Sequence, residues 1–381
     1  MKIDQIEPTP SVALADLSRQ LKAEGKNIIT LQTGEPDFDT PLFIKNQVKL
    51  ALDKNRTKYS FSSGLPELKS LIAKTYKDSS QLNIDKDQFI ITAGAVQGIA
   101  SVISAIVELN DEVIILEPAW PTIKSLVINN GGIPKCISFL DKENLLKNIE
   151  EQITSNTKLI YLNFPNNPTG QLITSKLYVS ILELLKKYNI LVISDEVYEF
   201  FDFTEDPNYK LPPERLEYEN FICINSFSKK YCMTGFRIGY IYTKNLENLK
   251  KIALASQINV TNIPEFTQYA AISAISHPKT KNFTKKLYKV FKQRFEIINK
   301  ALINSKISAL DSGGAFYKFI FIGMDDKYFS EKLLLDYSVC VVPGSAYGSC
   351  GRNYIRITFA EDLDQVMEGL RRITELYNKL K

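Results

Sequence analysis

The sequence has only one histidine, His277, and none of its five cysteines stands in a CxxC spacing. Zinc sites built on two or three histidines are therefore excluded, and a Ser-His-Asp triad could use only this imidazole. Cysteines that are odd in number and scattered along the chain indicate reduced thiols rather than a disulfide framework. We accordingly expect no metal site, and we expect His277, which precedes a proline, to be a solvated loop residue.

The chain also lacks a large charge excess and a long apolar run. Its formal net charge is +4, which is too small and too evenly spread to indicate binding to nucleic acid or to an anionic membrane. No stretch reaches the roughly 18 apolar residues of a membrane-spanning helix. Residues 1–10 carry acids and prolines where a signal peptide would carry a basic flank and an apolar run. We expect a cytoplasmic protein with no nucleic-acid or membrane partner.

Short apolar runs alternate with segments of helical period along most of the 381 residues. The predicted strands are residues 89–92, 113–116, 159–162, 190–194, 221–225 and 238–242. Most of these strands are continuously apolar, as expected where both faces of a sheet are covered. The alternation predicts an α/β protein with a largely parallel sheet, and a chain of this length holds about two domains.

The last third of the chain has a different pattern. A long helical segment at 283–302 is followed by predicted strands at 316–322 and 354–357. An apolar stripe then predicts a terminal helix, with members at Val366, Leu370, Ile373, Tyr377 and Leu380. These elements predict a smaller α+β unit, with a boundary near residue 280 that no linker marks.

Polar residues follow four of the predicted strands directly. They are the small-residue turn AGAVQ at 93–97, the amide cluster NFPNNPTG at 163–170, the acid and phenol of DEVY at 195–198, and the SFSKK run at 226–230. Ligands collect at the carboxyl ends of strands in open α/β sheets. We therefore expect these four segments to converge on one polar site.

Such a site has the groups that a phosphorylated pyridine aldehyde needs: a lysine amine for the aldehyde, a carboxylate for the ring nitrogen, and donors for the phosphate. The run SFSKKYCMTGFRIG at 226–239 resembles the lysine-attachment signature of the fold-type I, class I/II aminotransferases, which use pyridoxal 5′-phosphate (PLP). GEPDF at 34–38, NPTG at 167–170, DEVY at 195–198 and YIR at 354–356 resemble the other landmarks of that family, in the same order.

The resemblance implies the fold of type I PLP-dependent transferases, in which a mostly parallel central sheet lies in a large domain. It implies a large PLP-binding domain at 45–280. A smaller α+β domain would be formed from both chain ends, with an N-terminal arm and part of that domain at 1–44 and its C-terminal part at 281–381.

Two adjacent lysines, Lys229 and Lys230, could each form the Schiff base with PLP, and strand spacing alone does not separate them. The resemblance selects Lys229, since the family lysine follows Ser-x-Ser and precedes an arginine, here Arg237, by eight residues. Lys229 would also act as the base and acid that moves the proton of the substrate Cα.

Three further residues are implied to contact the PLP ring. Asp195 would pair with the protonated ring nitrogen, although an Asp after a strand also suits a helix N-cap. Tyr198 and Asn167 would hydrogen-bond the phenolic oxygen. Without the resemblance, the segment around Asn167 is turn chemistry. Trp120, in EPAWP at 117–121, stands where the family stacks an aromatic ring on the cofactor, although a lone Trp is also common in a core.

The PLP phosphate would lie on the turn that opens the helix after residue 92, where backbone N–H groups point outward. The residues implied for it are Gly94, Ala95, Val96, Ser226, Ser228 and Arg237. Tyr59, ahead of GLP at 64–66, matches a family tyrosine that reaches the phosphate from the partner subunit, which implies a homodimer with shared active sites.

For the substrate, Arg356 would clamp the α-carboxylate through its planar guanidinium, with help from Gly34 and Asn167. Some aspartate-preferring relatives have a lysine at the position of Val96. Its absence weakens the case for a dicarboxylic amino donor.

The function that these residues imply is PLP-dependent transfer of an amino group from an L-amino acid to a 2-oxo acid, in two stages. The same motifs would serve another PLP reaction, such as a carbon–sulfur β-lyase or an oxidative deaminase. A PLP-binding regulatory domain is a further alternative, but it needs a DNA-binding segment that the 33 residues before Gly34 do not offer.

Overall fold

The computed structural model describes residues 10–381. Its α-helices are α1 (Pro10–Ala23), α2 (Leu42–Asp53), α3 (Pro66–Ser80), α4 (Gly94–Ile106), α5 (Thr122–Asn129), α6 (Leu145–Gln152), α7 (Ser175–Lys187), α8 (Leu246–Val260), α9 (Glu265–Ser276), α10 (Thr280–Ser305), α11 (Asp326–Tyr337) and α12 (Leu363–Leu380). Its strands are β1 (Ile29–Thr30), β2 (Phe89–Thr92), β3 (Glu112–Glu117), β4 (Ile133–Ser138), β5 (Thr157–Asn163), β6 (Leu191–Asp195), β7 (Phe221–Ser226), β8 (Gly239–Thr243), β9 (Tyr317–Phe321), β10 (Val339–Cys340), β11 (Val342–Pro343) and β12 (Tyr354–Thr358).

Seven strands form the central sheet, in the order β2-β8-β7-β6-β5-β3-β4. All neighbouring pairs from β7 to β4 are parallel, and only β8 runs antiparallel to its two neighbours. Because β8 reverses the direction on both sides, β2 runs parallel to β7. The carboxyl ends of β2, β5, β6 and β7 therefore lie at one edge, and the predicted α/β fold with a mostly parallel sheet is confirmed.

The central strands are apolar along their length because both faces of the sheet are covered. On β5, Ile160 and Leu162 join one buried cluster, while Leu159 and Tyr161 join the cluster on the opposite face. Successive strand residues point to opposite faces, so each face receives every second side chain. One strand of the central sheet, β4, was not predicted, because its segment IPKCIS is half exposed at the sheet edge and contains Pro134. The two-residue strands β1, β10 and β11 were not predicted either.

A further core surrounds the three-stranded sheet β11-β12-β9, against which α10 and α12 pack. The predicted stripe on α12 is buried there at Val366, Leu370 and Ile373. Strand β1 pairs in parallel with β10, so Ile29 faces Val339 across 310 positions of sequence. The domain boundaries near residues 44 and 280 stay predictions, and the first nine residues of the predicted arm lie outside the described residues.

Between residues 10 and 381, no helix combines the length and the apolar composition that crossing a membrane requires.

Candidate active site

The four strand ends converge on a cavity of about 170 Å³. Ten of the predicted site residues line it: Ala95, Val96, Trp120, Asn167, Asp195, Tyr198, Ser226, Ser228, Lys229 and Arg237. Four other residues share the lining, namely Ile99, Asn163, Val197 and Thr234. The lining residues come from five separate segments of the chain, which follow β2, β3, β5, β6 and β7. The shared direction of these strands brings the five segments to one site.

Lys229 follows β7 and lines this cavity. Its Nζ donates a hydrogen bond of 2.6 Å to the carbonyl of Gly34. Burial lowers the pKa of this amine to about 8, and Arg356 and Arg237 act in the same direction, whereas Glu35 and Asp195 oppose it. Lys230 does not line the cavity, since its Nζ lies between the rings of Phe200 and Tyr231 on the other side of the strand end.

Asp195 ends β6 and is buried. Its Oδ2 accepts a hydrogen bond of 2.8 Å from the Tyr161 hydroxyl, and Oδ1 accepts one of 3.3 Å from the Val197 N–H. Burial raises the pKa of this carboxyl to about 6, against the two hydrogen bonds, which lower it. Tyr161 was not predicted as a site residue, because it stands within an apolar run. The one available signal was a hydroxyl-bearing side chain on a strand with two covered faces.

Tyr198 and Asn167 connect the central sheet to the C-terminal part of the chain. The Tyr198 hydroxyl lies 2.7 Å from the Tyr317 hydroxyl, at the start of β9. Asn167 accepts a hydrogen bond of 3.1 Å from Arg356 Nη1, and its N–H donates one of 2.8 Å to Asn163 Oδ1. Tyr317 was not predicted, because it stands in no motif of the sequence. Asn163 opens the predicted amide cluster at 163–170, but no role of its own was predicted for it.

Arg356 lies on β12 beside the cavity, and its guanidinium is buried. It stands 4.4 Å from the Tyr317 ring centre and 5.3 Å from that of Tyr347, and Nη2 donates to the Gln32 carbonyl. Its Nε has no hydrogen-bond partner within residues 10–381. Gly34 has no room for a side chain, since a Cβ there would overlap the Tyr317 hydroxyl.

The predicted phosphate segment is closely packed at the start of α4. Gly94 has φ +78, and a Cβ at this position would stand 2.7 Å from Arg237 Nη2. The first turn of α4 has neither an acidic residue nor a side-chain cap at Ala93. Ser226 Oγ donates a hydrogen bond of 2.8 Å to Ser228 Oγ close by. Free helix N–H groups, two hydroxyls and a guanidinium form a set of donors suited to an anion.

Two predicted residues occupy different surroundings. Trp120 is half-buried at the end of β3 and lines the cavity. Tyr59 does not line it and is 89% exposed in the single chain. Its predicted role in a partner's site remains a prediction.

Comparison with known proteins gives the family. The family described as "Aminotransferase class I and II" matches residues 26–373. The chain is 33% identical to a protein of Aquifex aeolicus named "Probable aspartate/prephenate aminotransferase", over 100% of this chain and 98% of that protein. It is 31% identical to "Aromatic-amino-acid aminotransferase 2" of Thermococcus litoralis, over 100% and 98% of the two chains. Among solved structures, an aspartate aminotransferase of Thermotoga maritima matches with a TM-score of 0.91, 29% identity and 99% coverage of both chains.

Proposed function

Because the chain belongs to the class I and II aminotransferase family and is thus a PLP-dependent transaminase, we propose that Lys229 is its cofactor-binding and proton-transferring amine. The observation that supports this role is that Lys229 lines the cavity that Asp195, Asn167 and Arg237 also line. A β-lyase, an oxidative deaminase or a regulatory PLP-binding domain is not favoured, since the similar proteins reported above are named as transaminases.

The described residues fit the cofactor. The uncapped start of α4, the close approach of Gly94 to Arg237 and the hydroxyls of Ser226 and Ser228 suit a phosphate. A carboxylate at 195 suits the ring nitrogen, and Tyr198 and Asn167 suit the phenolic oxygen. When bound, PLP supplies an aldehyde that accepts the amino group and a ring that delocalises the electron pair left when the Cα proton departs.

Lys229 would hold the aldehyde carbon until the substrate amine replaces it, and its freed Nζ would then take the proton from the substrate Cα. A base works best when its pKa lies near the working pH. Burial, which brings the pKa of this amine to about 8, is therefore favourable for the role.

Asp195 would hold a proton on the ring nitrogen through its carboxylate. Tyr161 supports the ionised form, because a hydrogen bond donated to a carboxylate lowers its pKa. On the other edge of the ring, the Tyr198 hydroxyl and the Asn167 amide would stabilise the phenolate oxygen. The Tyr317 hydroxyl orients that of Tyr198, and Arg356 contacts the Asn167 amide.

Arg356 would bind the substrate α-carboxylate. Its buried Nε lacks a hydrogen-bond partner in the described part of the chain. The rings of Tyr317 and Tyr347 hold the guanidinium plane in place. A planar guanidinium with a free donor can accept a carboxylate in a bidentate geometry. The neighbouring Gly34 backbone would help because no side chain fits there.

The active form in this proposal is a homodimer in the cytoplasm, where the five free thiols would stay reduced. A homodimer is supported by the large apolar side chains of Leu42, Phe61 and Ile258, each of which is at least 60% exposed in the single chain. The strongly exposed Tyr59 lies in the same part of the sequence as Phe61 and would reach the partner's phosphate site. The two-domain division at residues 44 and 280 is part of the same proposal.

The amino donor in this proposal has an apolar or aromatic side chain in preference to a second carboxylate. Val96, Ile99 and Trp120 give the cavity an apolar side. Of the described cavity-lining residues, the cations are Lys229 and Arg237, and both are assigned to the cofactor. A distal carboxylate would therefore be buried without a partner from this chain, which costs free energy.

A donor panel tests the proposal. Purified holoenzyme is mixed with 2-oxoglutarate and, in turn, phenylalanine, tyrosine, leucine or aspartate, and glutamate formation is measured. We expect the aromatic donors to give a kcat/KM at least tenfold above that of aspartate. Aspartate as the best donor would overturn the side-chain assignment. Pyruvate or ammonia release without an acceptor would overturn the assignment of the reaction.

A further inference from the structure

A second and larger cavity, of about 400 Å³, lies behind the segment that carries Lys229. We refer to it as the rear cleft. Its walls come from α3, the end of α9, the segment 199–216 and the end of β7. Its volume falls in the range of small-molecule sites, about 300–1,000 Å³. Ser226 lines both cavities, so the two are separated only by the end of β7.

Two consecutive lysines line different cavities. Lys229 lines the active-site cavity, whereas Lys230 lines the rear cleft. Lys230 Nζ stands 5.6 Å from the ring centre of Phe200 and 5.5 Å from that of Tyr231. Two aromatic faces stabilise an ammonium group without neutralising its charge. The second lysine of the SFSKK run, which the transfer reaction does not use, thus provides a cation in a different site.

The charges of the rear cleft are paired with two exceptions. At its base, Arg215 donates to Glu196 through Nε at 2.8 Å and Nη2 at 2.7 Å. Lys210 Nζ lies 3.2 Å from Asp202 Oδ2. Between residues 10 and 381, neither Lys230 nor Glu199 has an oppositely charged group within 4 Å. Neither group is thus held in a close ion pair. Burial and the neighbouring Glu196 raise the pKa of the Glu199 carboxyl group, whereas Lys230 and Arg215 lower it.

The remaining wall is largely apolar, with Ile72, Phe164, Leu172, Leu211 and Leu216 among its members. Glu199 lines the same cleft. A ligand with one positive group, one negative group and an apolar body would pair with both Glu199 and Lys230 and cover this wall. A ligand with a single charge would leave the other protein charge unpaired.

We propose that the rear cleft is a second small-molecule site that binds a zwitterion with an apolar body, with its carboxylate at Lys230 and its ammonium at Glu199. The class includes amino acids with apolar side chains. Binding there is separate from amino-group transfer, because neither Lys230 nor Glu199 lines the active-site cavity.

The test uses holoenzyme reduced with borohydride, in which PLP is fixed covalently and no amino group can be transferred. L-Phenylalanine, L-leucine and 6-aminohexanoate are titrated by calorimetry, as zwitterions that differ in charge separation. We expect at least one to bind saturably at one site per chain. Its analogues that lack either the ammonium or the carboxylate should bind at least tenfold more weakly, and this comparison needs no variant.

Variants locate the site. K230M and E199Q should each weaken binding at least tenfold. R356Q, in the proposed substrate clamp, and K187M, which removes an exposed lysine on α7, should leave it unchanged. The proposal is wrong if none of the three zwitterions binds, if single-charge analogues bind equally well, or if R356Q abolishes binding and K230M does not. Melting curves of each variant verify that it is folded.

A failure of the rear-cleft proposal can be told apart from a failure of the proposed role of Lys229. Peptide mapping of the reduced protein gives the position of the phosphopyridoxyl tag. A tag on Lys229 without zwitterion binding overturns the rear-cleft proposal alone. A tag on Lys230 overturns both, since Lys230 would then lie in the cofactor site.

Discussion

The Tyr161 hydroxyl donates a hydrogen bond of 2.8 Å to Oδ2 of Asp195, from the neighbouring strand of the central sheet. Both groups are buried, so the hydrogen bond forms where water does not compete for either atom. It acts against the burial that raises the pKa of Asp195. On the proposed roles, Tyr161 is a positioning residue that keeps the carboxylate ionised and aimed at the cofactor ring.

Removing this hydroxyl should weaken catalysis without unfolding the protein. A hydrogen bond to a charged group contributes about 1.5–3 kcal/mol, so we expect Y161F to lower kcat/KM by about tenfold to a hundredfold. The matched control is Y178F, since the Tyr178 hydroxyl is also buried and donates to Ser194 Oγ at 2.9 Å without touching Asp195. Steady-state kinetics give kcat/KM for both variants. An equal loss of kcat/KM in Y161F and Y178F would refute the positioning role.

Glu117 fastens the end of β3 to the C-terminal part of the chain. Its Oε2 accepts hydrogen bonds from the N–H of Ser349 at 3.0 Å and from Ser349 Oγ at 3.2 Å, while Oε1 lies 3.0 Å from Lys124 Nζ. Gly348 packs so closely on the carboxylate that no Cβ fits. This contact anchors the segment that carries Tyr347, one of the two rings beside Arg356.

We expect E117Q to raise the KM for the amino donor by about threefold to tenfold, with a smaller change in kcat. The substituted side chain has one oxygen and one NH2 group where the carboxylate has two oxygens. The NH2 group must face a donor of either Ser349 or Lys124, so at least one buried hydrogen bond is lost at a cost of about 1–3 kcal/mol. E112Q provides the control, because Glu112 stands at the far end of the same strand and pairs with Lys135 at 3.1 Å. An E117Q enzyme with unchanged KM would contradict this account of the substrate clamp.

The pH dependence of cofactor uptake follows from the amine of Lys229. Burial lowers its pKa from the usual 10.5 to about 8, and only the deprotonated amine attacks an aldehyde. The rate at which apoenzyme takes up PLP should therefore rise with pH and level off above about pH 8. Stopped-flow absorbance gives this profile. A rate that keeps rising toward pH 10 would indicate an unperturbed lysine.

Lys318 is 2% exposed, on β9, with Nζ 2.6 Å from Ser312 Oγ and 4.1 Å from the Phe295 ring centre. Burial lowers the pKa of this amine to about 7. The folded state therefore favours the neutral form. The free-energy penalty is absent above pH 10.5, grows as the pH falls toward 7 and is complete below it.

K318M removes this penalty. We expect the variant to melt at least about 2 °C above the parent at pH 7, since a methionine of similar length fills the space without a charge. The gain should shrink at pH 9.5, where the parent lysine is neutral in the folded state. K289M, on the exposed side of α10, should not change the melting temperature. A gain independent of pH would show that packing rather than charge is responsible.

The sequence predicted six of the seven strands of the central sheet, its mostly parallel order and the convergence of four strand ends. Each of these depends on local apolar patterning and on the shared direction of parallel strands. The contacts between distant segments could not be predicted in this way. Gly34 meets Lys229 across 195 residues, and Asn167 meets Arg356 across 189. Tyr317 and Glu117 were missed for the same reason, since their partners become neighbours only once the chain is folded. Tyr161 was missed because it stands within an apolar run.

The covalent attachment of PLP to Lys229 is the central claim, and borohydride reduction followed by peptide mapping tests it most directly. Holoenzyme is reduced, digested and analysed by mass spectrometry, with K230M treated in parallel. The account predicts one phosphopyridoxyl tag per chain on Lys229, in parent and K230M alike. A tag on Lys230 or elsewhere, or protein that remains untagged after incubation with PLP, would contradict it.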